Sequence, residues 1–156
     1  MSIEKVKAYI ASQGMLDRVM EFAVSSATVE LAALALGVDG SRIAKTLSFM
    51  VDDQPVLVVA AGDARIDNPK FKAFFHTKAK MLSHDQAAER IGHAVGGVCP
   101  FAVKEDVKVY LDESLKRFRT VFPACGSSNS AIELTIEEHE HHAGSLCWVD
   151  VCKDWQ

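Results

Sequence analysis

The sequence predicts an α/β (α+β) fold, a single compact domain over residues 1–156 with a mixed, largely antiparallel sheet or partly closed barrel surrounded by helices. Three observations predict it. A chain of 156 residues, 49% hydrophobic and 24% charged, suits one ordinary globular core. Apolar β-leaning runs are interspersed with well-capped helical segments. Their order is irregular, with hairpins between some strands and helices between others, so a regular βαβ alternation is excluded. No repeat, low-complexity stretch or linker marks a domain boundary.

The elements follow from local chemistry. Ser2 can cap a helix that places Ile3, Val6 and Ile10 on one face and stops near Gly14. Arg18 to Val24 reads as a strand. Ser26 or Thr28 caps a helix from Val29 to Leu36, with Gly37 as its stop. Arg42 to Val51 and Pro55 to Ala61 are apolar strands joined by a hairpin at Asp52-Asp53-Gln54. Asn68-Pro69 opens a short helix that runs to about His76. Ser83 and Gln86 form a capping box for a helix that ends at Gly92. Val107 to Leu111, Thr120 to Ala124 and Ala131 to Leu134 read as strands. Thr135 and Glu138 cap a last short helix, and Leu146 to Val151 closes the chain as a strand.

Lys45 breaks the pattern of its strand. Parity groups Ile43, Lys45, Leu47 and Phe49 on one face and Arg42, Ala44, Thr46 and Ser48 on the other. An ammonium aimed into an apolar face is costly unless it is paired or lines a cleft. Either the stem packs while the head reaches water, or the lysine belongs to a site.

Two loops carry further candidates. Gly92 to Phe101 contains Gly96-Gly97, which lets backbone approach a ligand, and Pro100, which holds Cys99 extended. Such a loop can aim N–H groups at a carbonyl or phosphate, or can serve as a tight turn. The segment Ala124 to Ala131, with Gly126, Ser127, Ser128 and Asn129, offers backbone and hydroxyl donors, or forms a solvated hairpin loop. Asp63 to Asp67 either lines a cleft or forms a paired turn.

Other chemistries find less support. Cys99 has no activating histidine tied to it in sequence and reads as a structural thiol. His139, His141 and His142 lack the partners of a tetrahedral metal site and sit where a helix end favours cations, so no metal and no cofactor is expected. The four cysteines form no C-x-x-C pair, so reduced thiols are the default. No run reaches membrane-spanning length and residues 1–20 lack a signal-peptide pattern, which points to a cytoplasmic protein with no membrane partner. The net charge of −4 argues against broad nucleic-acid binding, and DNA is not expected. Any RNA contact should be local, through Lys70, Lys72, Lys78 and Lys80 or through Lys116, Arg117 and Arg119, which read equally as solvated faces.

Three segments, in this order and at these separations, resemble one family: Ile43-Ala44-Lys45-Thr46-Leu47, Gly96-Gly97-Val98-Cys99-Pro100-Phe101 and Gly126-Ser127-Ser128-Asn129. They are similar to the YbaK/ProX-type aminoacyl-tRNA deacylases, which also occur as an editing domain inserted in bacterial prolyl-tRNA synthetases. The helix Val29 to Leu36, followed by Gly37-Val38 and the lysine strand, fits the same pattern. The resemblance implies a compact α/β domain acting in trans on the acceptor end of mischarged tRNA, typically tRNA for proline carrying a small wrong amino acid. Prolyl-tRNA synthetase is the implied partner. Lys45, Gly96, Gly97 and Gly126 are the implied catalytic groups, with Thr46, Val98, Cys99, Pro100, Ser127, Ser128 and Asn129 binding substrate. The family's glycine loop usually has Ser where this chain has Cys99. A non-catalytic module that binds tRNA or a synthetase is the alternative, and a small-molecule hydrolase acting on an ester or amide is a third.

Overall fold

The computed structural model describes residues 2–93 and 98–155. In chain order its first elements are α1 (Ser2–Ser12), β1 (Met20–Glu21), α2 (Val29–Leu36), β2 (Ile43–Val51), β3 (Gln54–Ala61) and β4 (Arg65–Ile66). Next come α3 (Asn68–Phe75), α4 (His84–Gln86, continued by a π-helical turn over Ala87–Ile91), β5 (Lys108–Asp112) and β6 (Thr120–Pro123). The chain closes with β7 (Ser130–Ala131), β8 (Leu134–Thr135), α5 (Ile136–Ala143), β9 (Cys147–Val149) and β10 (Cys152–Lys153).

The main sheet has six strands in the order β8-β6-β2-β3-β5-β9, and two-stranded pairs β1-β7 and β10-β4 flank it. The sheet is mixed, as expected. β2–β3 and β6–β8 are antiparallel, whereas β2–β6, β3–β5 and β5–β9 are parallel. The antiparallel character therefore lies in the long β2–β3 hairpin and the outlying pairs. Asp52 and Asp53 turn that hairpin with φ of 48° and 64°, the left-handed pair that matches strand twist.

β3 is buried on both faces. Leu57, Val59 and Ala61 join a core built with Val6 and Ile10 of α1 and Ile91. Val56, Val58 and Ala60 join Phe49 and the α3 residues Phe71 and Phe75 on the other side. Helices on both faces thus turn a period-two strand into one continuous apolar run.

The helix caps fall where side-chain chemistry puts them. Thr28 accepts from the Leu31 N–H at 3.1 Å, and Gly37 closes α2 with φ of 68°. Both capping boxes, Ser83 with Gln86 and Thr135 with Glu138, are formed.

Three strand expectations are corrected. Residues 18–24 yield only β1, because Arg18 lies in a 3-10 turn and Phe22 and Ser26 bond instead to the carbonyls of Asn129 and Ser128. The run 131–134 splits into β7, which pairs with β1, and β8, which pairs with β6. The closing segment also splits, with β9 on the main sheet and β10 on β4.

Candidate functional site

A break in the sheet edge positions the site. β6 pairs with β2 only at Ile43 and Ala44. Further along the same edge, the Leu82 N–H donates to the Ser48 carbonyl at 3.1 Å and the Met50 N–H donates to the Lys80 carbonyl at 2.9 Å. Between these attachments, residues 45–47 have no strand neighbour on that side among the described residues. A cleft of about 420 Å³ opens there. Lys45, Thr46 and Ser48 form its strand wall, the approach to α2 (Ser26 to Val29) forms another, and Phe122, Ala124, Ala131, Met81 and Val98 contribute to the rest. This volume lies in the range of small-ligand sites.

Lys45 is half-buried, and the structure explains how an ammonium survives on that face. Its Nζ donates to the carbonyl of Gly62 at 3.2 Å and to that of Ala64. Burial lowers its pKa, while Cys152 and Asp63 oppose that shift.

The turn after β3 is therefore the lysine's seat, and it is braced from several sides. Asp63 takes a two-pronged contact from Arg117, at 3.0 and 2.6 Å. The Arg117 Nε also donates to the Ser114 carbonyl at 3.0 Å. Ser114 Oγ accepts from the Ala61 N–H at 3.1 Å, and the fully buried Asp112 accepts from the N–H groups of Ser114 and Val151 at 2.9 and 3.0 Å. A Cβ on Gly62 would lie 2.0 Å from the Gly40 carbonyl oxygen and 2.8 Å from Val29 Cγ1, so only glycine fits there. Arg117, a candidate RNA contact from sequence, is spent on this brace, and Lys70 on Asp150 at 3.0 Å.

The other sequence candidates separate. Val98 reaches the cleft, whereas Cys99, Pro100, Gly126, Ser127, Ser128 and Asn129 are not among its described lining residues. Gly96 and Gly97 lie outside the described residues. Cys99 is fully buried, 3.7 Å from His93 Nε2, and that nitrogen donates to the Phe101 carbonyl at 2.8 Å. Burial pushes the Cys99 thiol up to about 12 and the His93 imidazole down, so both stay neutral near pH 7. The pair packs as neutral core groups and gives no thiolate. Gly126 is buried against Cys99, with φ of 92°.

The polar loop that follows acts as a bracket. Asn129 Nδ2 donates to the Phe22 carbonyl at 3.0 Å, and the Phe22 N–H returns a bond to the Asn129 carbonyl at 2.8 Å. The Ser127 hydroxyl lies 2.9 Å from Asn129 Oδ1 and 2.8 Å from Ser130 Oγ. The loop thereby ties down the strand that leads into the cleft wall at Ser26. Sequence reading took Asp63 to Asp67 as a cleft or turn segment but missed Gly62 and the role of the Gly62 and Ala64 carbonyl oxygens, groups that every residue carries. The only available signal was their place in the turn directly after a buried strand.

Among the described residues, no cluster of three histidine, cysteine or acidic side chains could hold a metal, and no helix is long and apolar enough to cross a membrane. No partner among the described residues bonds either ring nitrogen of the buried His139, and His142 Nδ1 pairs with the Tyr9 hydroxyl at 3.0 Å.

Residues 24–141 match the profile of the aminoacyl-tRNA editing domain. An uncharacterized Bacillus subtilis protein, YwhH, is 55% identical over 157 residues that span the whole of both chains. A candidate Cys-tRNA(Pro)/Cys-tRNA(Cys) deacylase of Enterococcus faecalis, EbsC, is 31% identical over 70% of this chain and 68% of its own. The proline–tRNA ligase of Lactiplantibacillus plantarum is 26% identical over 80% of this chain, which corresponds to 22% of the ligase. Among solved structures, a candidate trans-editing enzyme for prolyl-tRNA synthetase superposes with a TM-score of 0.86 at 25% identity, covering 97% of each chain.

Proposed function

Because the chain belongs to the aminoacyl-tRNA editing domain family, we propose that it hydrolyses, in trans, the ester joining a small wrong amino acid to tRNA, with tRNA for proline as the first candidate. One observation carries this reading: Lys45 is held by two backbone carbonyls at the wall of a cleft of about 420 Å³. The anchors orient the ammonium and leave one of its three N–H donors for a ligand.

In the proposed reaction, water oxygen bonds to the ester carbonyl carbon and the bond to the ribose oxygen breaks. The ribose oxygen leaves with one of the water's protons as a hydroxyl, the other proton passes to solvent, and the amino acid departs as a carboxylate. The remaining Lys45 N–H would face the developing oxyanion or a neighbouring phosphate. Gly96, Gly97 and Val98 are proposed to complete the cleft's backbone donors. Cys99, Pro100 and Gly126 are proposed to act by holding Val98 in place, and Ser127, Ser128 and Asn129 by holding the segment that leads to Ser26. Alanine, cysteine, serine and 2-aminobutyrate are the proposed candidates for the amino acid removed, and a synthetase partner would compensate for the acidic net charge.

The test is deacylation of proline tRNA charged separately with alanine, cysteine, serine, 2-aminobutyrate and proline, with Lys45→Ala in parallel. Selective release of one wrong amino acid is expected, falling about 100-fold in the variant, the scale of losing one oxyanion donor. Tight tRNA binding without release from any substrate would replace this reading with a non-catalytic binding module.

A further inference from the structure

The interrupted edge of β2 has a definite length and direction. In a strand, a residue's N–H and C=O point to the same side, and successive residues alternate. Ser48 and Met50 use the outer edge, so Thr46 also points outward and Lys45 and Leu47 point toward β3. Ala44 is already paired with β6 through Pro123, and the Ser48 carbonyl is taken by Leu82. The opening therefore presents the N–H and C=O of Thr46, followed by the Ser48 N–H, with no partner among the described residues. Independently, the Thr46 hydroxyl is buried without a hydrogen-bond partner among the described residues. Leaving such a group unpaired costs about 1–3 kcal/mol, and native folds seldom tolerate it without a functional reason.

We propose that Thr46 reads the aminoacyl group as a one-residue strand. Its carbonyl accepts from the substrate's α-ammonium, and its N–H donates to the ester carbonyl. The inference rests on the editing reading above and names the contact that recognises an amino acid there. An α-amino ester carries a donor and an acceptor spaced as a residue's own N–H and C=O, so it can exchange both bonds with the strand. A longer peptide would collide with β6 at one end of the gap and with residues 80–82 at the other. The gap suits a single aminoacyl unit whose ester side leads out of the cleft.

The experiment uses an adenosine bearing the amino acid through a stable 3′-amide, together with its N-acetylated form. On titration into 15N-labelled wild-type protein, the Thr46 amide resonance should shift more than those of Ala44 and Ser48. N-acetylation should weaken binding about tenfold or more, the scale of one hydrogen bond to a charged group. The variant Thr46→Pro removes the N–H on the side away from β3, where no ladder bond is lost. It should reduce deacylation about 100-fold while the β3 amides keep their exchange protection. The inference is overturned if the analogue binds with the Thr46 amide unmoved, if both analogues bind equally, or if wild type deacylates aminoacyl-tRNA yet binds neither. It is also overturned if a folded Thr46→Pro stays active. If that variant does not fold, the wild-type titration decides. A shifted Thr46 amide with no deacylation of any substrate would overturn the hydrolase reading and leave this recognition standing.

Discussion

The turn at residues 62–64 and the loop at residues 126–129 are both short, polar and glycine-containing, yet their bonds run in different directions. The first offers bare carbonyl oxygens to Lys45 and is braced from behind by Arg117 and Ser114. The second carries the more site-like side chains and spends them on the neighbouring segment, through Asn129 to Phe22 and Ser127 to Ser130. The difference teaches that polar residue type marks a loop as able to bond but does not say with what. A carbonyl seat for a lysine needs no particular side chain, whereas a bracket needs several.

Changing the seat should produce the largest effect. Gly62→Ala forces the turn away from Gly40 and displaces the Lys45 anchor. Deacylation should fall about 100-fold, approaching Lys45→Ala, with a stability loss of about 1–3 kcal/mol from overpacking. Steady-state kinetics and thermal unfolding check both numbers, and near-normal activity would break the comparison on the side of the seat.

A pH effect comes next, and it sharpens the comparison by separating either loop from global unfolding. Burial holds the His139 pKa down at about 4. The unfolded chain therefore binds a proton that the folded chain refuses as pH falls through the ordinary histidine range. Stability should be full above about pH 7 and decline toward pH 4, by about 2 kcal/mol between pH 7 and pH 5. Denaturant midpoints should show this slope, and His139→Leu should reduce it, leaving the same-sign contribution of His93.

The bracket should give the smallest effect. Asn129→Ala removes the bond to Phe22, and about 1 kcal/mol of stability should go with it. Activity should change mainly in KM, by less than about tenfold, because the cleft wall loosens while the lysine stays seated. A collapse of kcat on the scale of Lys45→Ala would mean that the loop touches reacting atoms, and the contrast would fail.

Much of the architecture was legible in the sequence because its causes are local. Capping boxes at Ser83 and Thr135, the threonine cap of α2 and the Asp52-Asp53 turn depend on residues within four positions of one another. Lys45 was legible because period-two alternation alone places it on an apolar face. The two-residue strands β1, β7, β8 and β10 were misjudged because their pairing is long-range and short ladders leave little periodicity.

The sequence by itself determined the mixed α/β class, the capped helices and the anomalous lysine, since these follow from side-chain chemistry and period. Tertiary structure alone decided which atoms seat that lysine, which segment the Asn129 loop is bonded to, and where the sheet edge is left open. Those outcomes turn on backbone carbonyls and unpaired strand edges. Every residue carries these groups, and only the arrangement of distant segments leaves some of them without a neighbour.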